Sequence, residues 1–251
     1  MDQQKVSILI LLDLSAAFDT FNHQKLINIF HNRFNITNTA LAWLKSYITG
    51  RHQVVKINSE LSNKFNLQHG VPQGSCIGPI AFLAYISSLY DILENYLPCV
   101  EGYADDHQLY IALKPNSLKS IQQSVTEIET CVSAIRNFML INQLKINDNK
   151  TEIVIIGSRQ QLSKLPDIHI KIGSINVQPI DTVTNLGVTL DSKMTMNNHI
   201  NRVCRNANYQ LIKIRQLRQY LTKHSTETIV HAFITSTSDH CNSIYCMQPI
   251  K

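Results

Sequence analysis

Apolar residues first appear along this chain as a near-continuous run. Val6-Ser7-Ile8-Leu9-Ile10-Leu11-Leu12 holds a single polar residue, which predicts a strand buried on both faces in the middle of a sheet. The run stops at Asp13. A helical period follows, with Leu26, Ile27, Phe30 and Phe34 on one side and Asn22 placed to cap it. A second helix over about 39–48 halts ahead of Gly50. Residues 51–57 alternate as a strand does, with a hairpin turn near Asn58-Ser59. An apolar helix over 79–93 begins with proline in its first turn. Residues 99–103 and 109–113 read as two strands joined through Ala104-Asp105-Asp106.

Beyond them, Ser117 caps a helix with Leu118, Ile121, Val125, Ile128, Val132, Ile135 and Met139 at three–four spacing. The pattern ends at Asn142 and strand-like residues follow. That favours a helix lying along the back of the sheet over a coiled-coil seam. Residues 153–157 predict another buried strand, 168–172 and 175–177 a hairpin turning at Gly173-Ser174, and 183–190 one more strand. From 198 to 221 the chain turns helical, with an apolar stripe of Ile200, Val203, Ala207, Leu211, Ile214, Leu217 and Leu221, and a last helix covers about 225–237. The succession predicts an α+β fold, an antiparallel sheet with helices on one face followed by a mainly helical region. The division falls at 1–192 and 193–251.

With 251 residues, 44% hydrophobic and 16% charged, the chain has the composition of a soluble globular protein with a sizeable core. A net charge of +5 permits nucleic-acid binding without proving it. The distribution says more. Arg202, Arg205, Lys213, Arg215, Arg218 and Lys223 follow one another with no acid between them, which moves the reading from a solvated helix face toward a nucleic-acid partner. Six cysteines are scattered without a CxxC pair, and Cys241, Cys246 and His240 lack a second ligand pair for zinc. They read as buried free thiols in a reducing, intracellular compartment. No basic cluster is dense enough for an import signal, so nuclear and cytoplasmic locations stay open. The seven-residue run at 6–12 is too short to span a bilayer, and Asp13 interrupts it at the low limit of a signal peptide's apolar region, so no membrane partner is expected. Linkers and internal repeats are not evident.

The chemistry concentrates at Asp105-Asp106, adjacent acids at a tight turn between strands. An Asp-rich hairpin turn is the plain reading. Opposed to Mg²⁺, which takes hard oxygen ligands, the mutual repulsion of the pair becomes useful. Asp13, at the end of a central strand, is costly there unless paired or liganded, which makes it the natural third oxygen ligand. Asp19 reads as a turn or helix-start acid. Between these acids, three of eight glycines and two of seven prolines crowd into residues 70–79. Such a loop either connects or lets a ligand approach the main chain, and Gln73, between Pro72 and Gly74, suits the flat edge of a ligand.

The stretch Leu12-Asp13-Leu14-Ser15-Ala16-Ala17-Phe18-Asp19 resembles the first palm motif of reverse transcriptases from non-LTR (LINE-like, jockey/CR1-type) retrotransposons. Gly70-Val71-Pro72-Gln73-Gly74-Ser75 is similar to the second and Tyr103-Ala104-Asp105-Asp106 to the third. Residues 144–152 match the motif after the long helix, and Leu186-Gly187-Val188-Thr189-Leu190-Asp191 the primer-side strand. The likeness runs from about residue 6 to the C-terminus in family order. It implies a polymerase palm over 1–192 and a helical thumb over 193–251, with an RNA template, a DNA primer and dNTPs as partners. Asp13, Asp105 and Asp106 would hold two Mg²⁺ ions, Mn²⁺ being a substitute. The backbone of residues 14–17 would touch the triphosphate, and Phe18 would be the steric gate that excludes a 2′-hydroxyl. Gln73 and Gly74 would floor the nucleotide site, Lys150 would protonate the departing pyrophosphate, and the basic helix would track phosphates. The family carries fingers upstream of Asp13, here only twelve residues from Met1, so a fragment lacking the fingers and endonuclease regions of a polyprotein, with weak polymerase activity on its own or none, is expected. The alternatives are an inactive remnant that binds nucleic acid, an RNA-dependent RNA polymerase palm, and a plain structural domain.

Overall fold

The computed structural model describes residues 5–15, 19–72, 74–96, 99–104 and 106–247. β1 (Val6–Leu12) and the brief β2 (Leu14–Ser15) lead into α1 (His23–Asn32) and α2 (Asn38–Ile48). An arm follows, built of β3 (His52–Gln53), β4 (Lys56–Ile57), β5 (Glu60–Leu61) and β6 (Phe65–Asn66), with β3 paired to β6 and β4 to β5. After α3 (Gly78–Leu93) come β7 (Cys99–Tyr103), β8 (Asp106–Leu113), α4 (Leu118–Ile141), β9 (Lys145–Ile146) and β10 (Glu152–Ile156). Then come α5 (Arg159–Leu162), the pair β11 (Ile170–Ile172) and β12 (Ile175–Val177), and the pair β13 (Thr182–Asn185) and β14 (Val188–Asp191). The chain continues through α6 (Asn197–Leu217), α7 (Lys223–Val230) and α8 (Ser236–Asp239).

The sheet runs β10-β1-β8-β7, antiparallel throughout, with the apolar strand β1 at its interior as expected. Strand register explains the core. Val6, Ile8, Ile10 and Leu12 stand opposite Leu113, Ile111, Leu109 and His107, and all eight are buried. Residues opposite one another share a face, so this face is continuous, and α3 and α4 close it in a single core. Leu9 and Leu11 on the other face are only half-buried, which corrects the expectation of burial on both faces. The β13–β14 hairpin lies against β10 and covers only part of that second face.

α3 is apolar around most of its circumference because it is a central packing element. Phe21 stacks on its Phe82 and Tyr85 at centroid distances of 5.7 and 4.7 Å. The Tyr85 hydroxyl donates to the Asn142 carbonyl at 2.9 Å, giving the buried ring's polar tip a partner and tying α3 to the end of α4. α4 begins where Ser117 accepts from the Ser120 N–H at 3.2 Å and lies along the sheet. α1 is capped by Asn22, which accepts from the Lys25 N–H at 3.0 Å.

Other expectations are corrected. Residues 51–57 are not one strand: β3 and β4 are separated at Val54-Val55, and Val54, Val55, Ile57, Leu61 and Phe65 are all exposed. Residues 183–190 make a hairpin, not a strand, because Leu186 and Gly187 both take positive φ, 44° and 83°. The pair turns the chain as a type I′ loop does, and Leu before Gly hid the turn. On α6 only His199 and Ile214 are buried, while Ile200, Leu211 and Leu217 of the apolar stripe are exposed. Of the five described cysteines only Cys131 is buried, its thiol pushed up to about 11 by burial, and Cys76, Cys204 and Cys241 are exposed. Among the described residues no helix is long and apolar enough to cross a membrane.

Candidate active site

β1 ends at Leu12, and the backbone carries Asp13 out of the sheet beside the start of β8, where Leu12 faces His107. β7 and β8 make their last pair at Tyr103 and Asp106, the strand spacing of hairpins with short loops. Such loops need positive φ at their first position, and Ala104 supplies φ +55°. The left-handed conformation costs a residue with a Cβ about 1–2 kcal/mol. Asp105 itself lies outside the described residues, as do Phe18 and Gln73.

The turn that follows β9 hangs from Asp13. Leu14 and Ser15 pair with Ile146 and Lys145, and the Asn147 N–H donates to the Asp13 carbonyl at 2.9 Å. A 3₁₀ turn over Asp148–Lys150 then brings the Lys150 ammonium 3.2 Å from Asp13 Oδ2. Asp148 is ion-paired with Arg136 of α4, so the long helix anchors the turn that presents Lys150.

A cavity of about 360 Å³ opens at this end of the sheet, lined by Asp13, Asp106, Gln108, Lys150, Glu152 and Asn185 among others. Sequence analysis therefore named three side chains, Asp13, Asp106 and Lys150, that the structure brings to one cavity. Gly74 does not line it; φ +80° and open space around a would-be Cβ place it on an exposed turn. Gln108, Glu152 and Asn185 were not named. Only the period of two carried a signal for Gln108, since it shares the face of Asp106. Its amide donates to Asn185 Oδ1 at 3.0 Å and ties the open face of the sheet to the β13–β14 hairpin.

Asp13 Oδ2 is the chemically telling atom. It is buried, accepts no well-formed hydrogen bond among the described residues, and has Lys150 nearby only as an ion pair outside hydrogen-bond geometry. A buried carboxylate oxygen left in this state is expensive, and a hard divalent cation would satisfy it. Among the described residues no group of three metal-ligating side chains is assembled. The donor set named from the sequence includes Asp105, outside them.

Beneath the hairpin, Tyr90 of α3 stacks on the buried His107 with centroids 6.4 Å apart. A Cβ on Gly102 would fall 1.9 Å from the Tyr90 hydroxyl. Gly102→Ala is expected to cost about 1–3 kcal/mol through overpacking. Tyr90→Phe added to that variant should recover part of the loss in urea unfolding; a Gly102→Ala chain as stable as the wild type would show that Tyr90 moves aside freely.

Comparison with known proteins identifies the family. Residues 1–190 match the family model described as reverse transcriptase (RNA-dependent DNA polymerase). A probable RNA-directed DNA polymerase from transposon BS of Drosophila melanogaster is 26% identical over 257 residues, covering 99% of this chain and 26% of that protein. The RNA-directed DNA polymerase from mobile element jockey, also of Drosophila melanogaster, is 22% identical, covering 81% of this chain and 22% of its own length. The chain thus spans about a quarter of the curated relatives it matches. Among solved structures, a telomerase from Candida tropicalis, in complex with a fragment of telomeric RNA, aligns over 96% of this chain and 39% of its own. Its TM-score of 0.55 at 12% identity is a likeness of fold.

Proposed function

We propose, from the premise that this chain belongs to the reverse transcriptase (RNA-dependent DNA polymerase) family, that the cavity at the end of β1 is a nucleotidyl-transfer site. The observation that carries this reading is the placement of Asp13, Asp106 and Lys150 around one cavity, with the buried Asp13 Oδ2 paired to the Lys150 ammonium at 3.2 Å and accepting no hydrogen bond among the described residues. On this reading Asp13, Asp105 and Asp106 hold two Mg²⁺ ions, for which Mn²⁺ can substitute. Bound there, such ions lower the pKa of a primer 3′-hydroxyl and neutralise triphosphate charge.

In the reaction the 3′-oxygen forms a bond to the α-phosphorus of a dNTP, the bond to pyrophosphate breaks, and the hydroxyl proton is lost. Lys150, 65% exposed and free to swing from Asp13, supplies a proton to the departing pyrophosphate. Phe18 would exclude ribonucleotides and Gln73 would floor the nucleotide site. Residues 1–192 form the palm and 193–251 the thumb, a division supported by the end of β14 at Asp191 and the start of α6 at Asn197. The partners are an RNA template and a DNA primer.

The test is primer extension on an RNA template with Mg²⁺ and dNTPs, comparing the chain with its Asp105→Ala variant. Weak extension by the wild type and none by the variant is the expected result. Equal extension by both would remove the carboxylates from the mechanism, and extension by neither would take the activity away from this chain.

A further inference from the structure

Lys150 stands at Asp13 on a short support. The 3₁₀ turn that carries it spans three residues, Asp148–Lys150, and its backbone bonds join it to Asn147, which hangs from the Asp13 carbonyl. An exposed ion pair contributes little, and a lysine gives up much rotamer freedom to form one. The pair with Asp13, in which Lys150 is largely exposed, therefore does not place the ammonium by itself. The backbone of the turn has to place it, and the ion pair of Asp148 with Arg136 tethers that turn to α4.

What holds Arg136 comes from a different part of the chain. Glu129 and Arg136 are seven residues apart on α4, about two helical turns, and so face the same way. Both meet the β11–β12 hairpin. Glu129 Oε1 accepts the Lys171 N–H at 2.8 Å, and Ile170 and Ile172 of β11 are buried in the core. At the hairpin turn Gly173 takes φ +61°, and a Cβ there would fall 2.6 Å from both Cζ and Nη2 of Arg136 and 2.9 Å from Nη1. Near-equal distances to these three atoms put the face of the guanidinium against the glycine. Its edge is then left to reach Asp148. Beside it opens a cleft of about 510 Å³, lined by Arg136, Asn137, Lys171 and Gly173 among others. A side chain at 173 would push the guanidinium into that open space and away from its seat, with the core untouched.

We propose that Arg136 is a positioning residue for Lys150 and that Gly173 sets it. Seated on the glycine, the guanidinium holds Asp148, and with it the turn that brings the Lys150 ammonium to Asp13. This rests on the reading of Lys150 as the group that protonates pyrophosphate, and it extends the site to a hairpin that reading leaves out. Without the seat, Lys150 is still present and charged but spreads over positions away from Asp13. Proton delivery falls with the fraction that stays in place.

The first test needs no turnover and reads Lys150 directly. In protein reductively methylated with ¹³C, the Lys150 NMR signal, assigned through Lys150→Arg, is compared in the wild type and in Asp13→Asn, which lacks the carboxylate partner. Arg136→Gln and Gly173→Asn are expected to carry that signal most of the way to its position in Asp13→Asn. The signals of Lys56 in the arm and Lys213 on α6 should stay in place. Asparagine is chosen at 173 because it tolerates the left-handed backbone while adding the Cβ, and it leaves Arg136 and Asp148 intact. A Lys150 signal unchanged from the wild type in both variants would overturn the proposal. So would coincident signals in the wild type and Asp13→Asn, or movement shared by Lys56 and Lys213, the mark of a general loss of structure.

Primer extension then asks whether position matters to turnover. Arg136→Gln is expected to slow extension about tenfold and to slow a Lys150→Ala chain no further, since a residue that acts through Lys150 then has nothing to position. Losses that add would overturn the positioning role. If no form of the chain extends primers, the polymerase reading falls, while the Lys150 signal still decides whether Arg136 and Gly173 place the ammonium.

Discussion

Asp13→Asn is expected to lower primer extension by about a thousand-fold, the range seen when a preorganised electrostatic partner of the reacting groups is removed. The reason is local. Asp13 directly follows the central strand, with its Oδ2 buried and accepting no hydrogen bond among the described residues, a position that the fold tolerates at a cost. In metal-free buffer the variant should be as stable as the wild type or more so, since an amide removes the buried charge and the Lys150 contact is largely solvent-exposed. Added Mg²⁺ separates the two proteins. At a hundred times its Kd a ligand adds about 2.7 kcal/mol, which in a chain of this size raises the melting temperature by several degrees. The wild type should show that rise and Asp13→Asn should lose most of it. A wild-type melting curve indifferent to Mg²⁺, or a variant that extends primers within tenfold of the wild type, would remove the metal site from this end of the sheet.

The second large effect is structural and lies at Asp191, the last residue of β14. Its carboxylate accepts the N–H groups of Lys193, Thr195 and Met196 at 3.1, 3.0 and 2.8 Å and the Thr195 hydroxyl at 3.1 Å. It thereby holds a loop in which Met194 and Met196 both take positive φ, 52° and 60°, conformations a β-carbon disfavours. Asp191→Ala leaves those donors, one of them buried, without their acceptor. A loss of about 3–4 kcal/mol is expected, visible as a fall of roughly 10 °C in melting temperature. A fall of only a degree or two would mean that the loop finds other acceptors.

Burial pushes the Asp191 carboxyl up, but the hydrogen bonds outweigh it and hold the group below its ordinary value of 3.8. A depressed carboxyl stabilises the fold in full above the unfolded value and loses that contribution as pH falls through the folded one. Wild-type stability should therefore drop below pH 3.8 by an amount that Asp191→Ala does not show. The junction matters because it joins the hairpin facing the sheet to α6, where the basic residues begin.

The strength of the local signals decided how much could be read in advance. The uninterrupted run at 6–12, the three–four period of α4 and the caps at Asn22 and Ser117 predicted the strand at the sheet's interior, the helix along it and both helix starts. Such patterns depend on neighbours within a turn or two of the chain. The order of the acids and of the glycine-rich loop likewise pointed to the family, because those residue types are read along the sequence itself. That Asp13, Asp106 and Lys150 meet in one cavity followed from strand register and from the turn hung on the Asp13 carbonyl, and both arise from pairing between segments far apart in sequence.

Where tertiary contacts override local pattern, the sequence misled. Alternation at 51–57 predicted one strand, but the chain makes two short ones, and Val54, Val55 and Ile57 are exposed. The turn at Leu186-Gly187 was hidden because leucine is a poor turn former, and Arg202 and His240, drawn from elsewhere in the chain, hold its carbonyls. The roles of Gln108, Asn185 and Asp191 have no local signature, since each acts through a hydrogen-bond partner that only folding brings within reach. Periodicity and residue type are properties of a segment and so are legible in it. A hydrogen bond between strand and hairpin is a property of two segments at a fixed distance, and only the folded chain sets that distance.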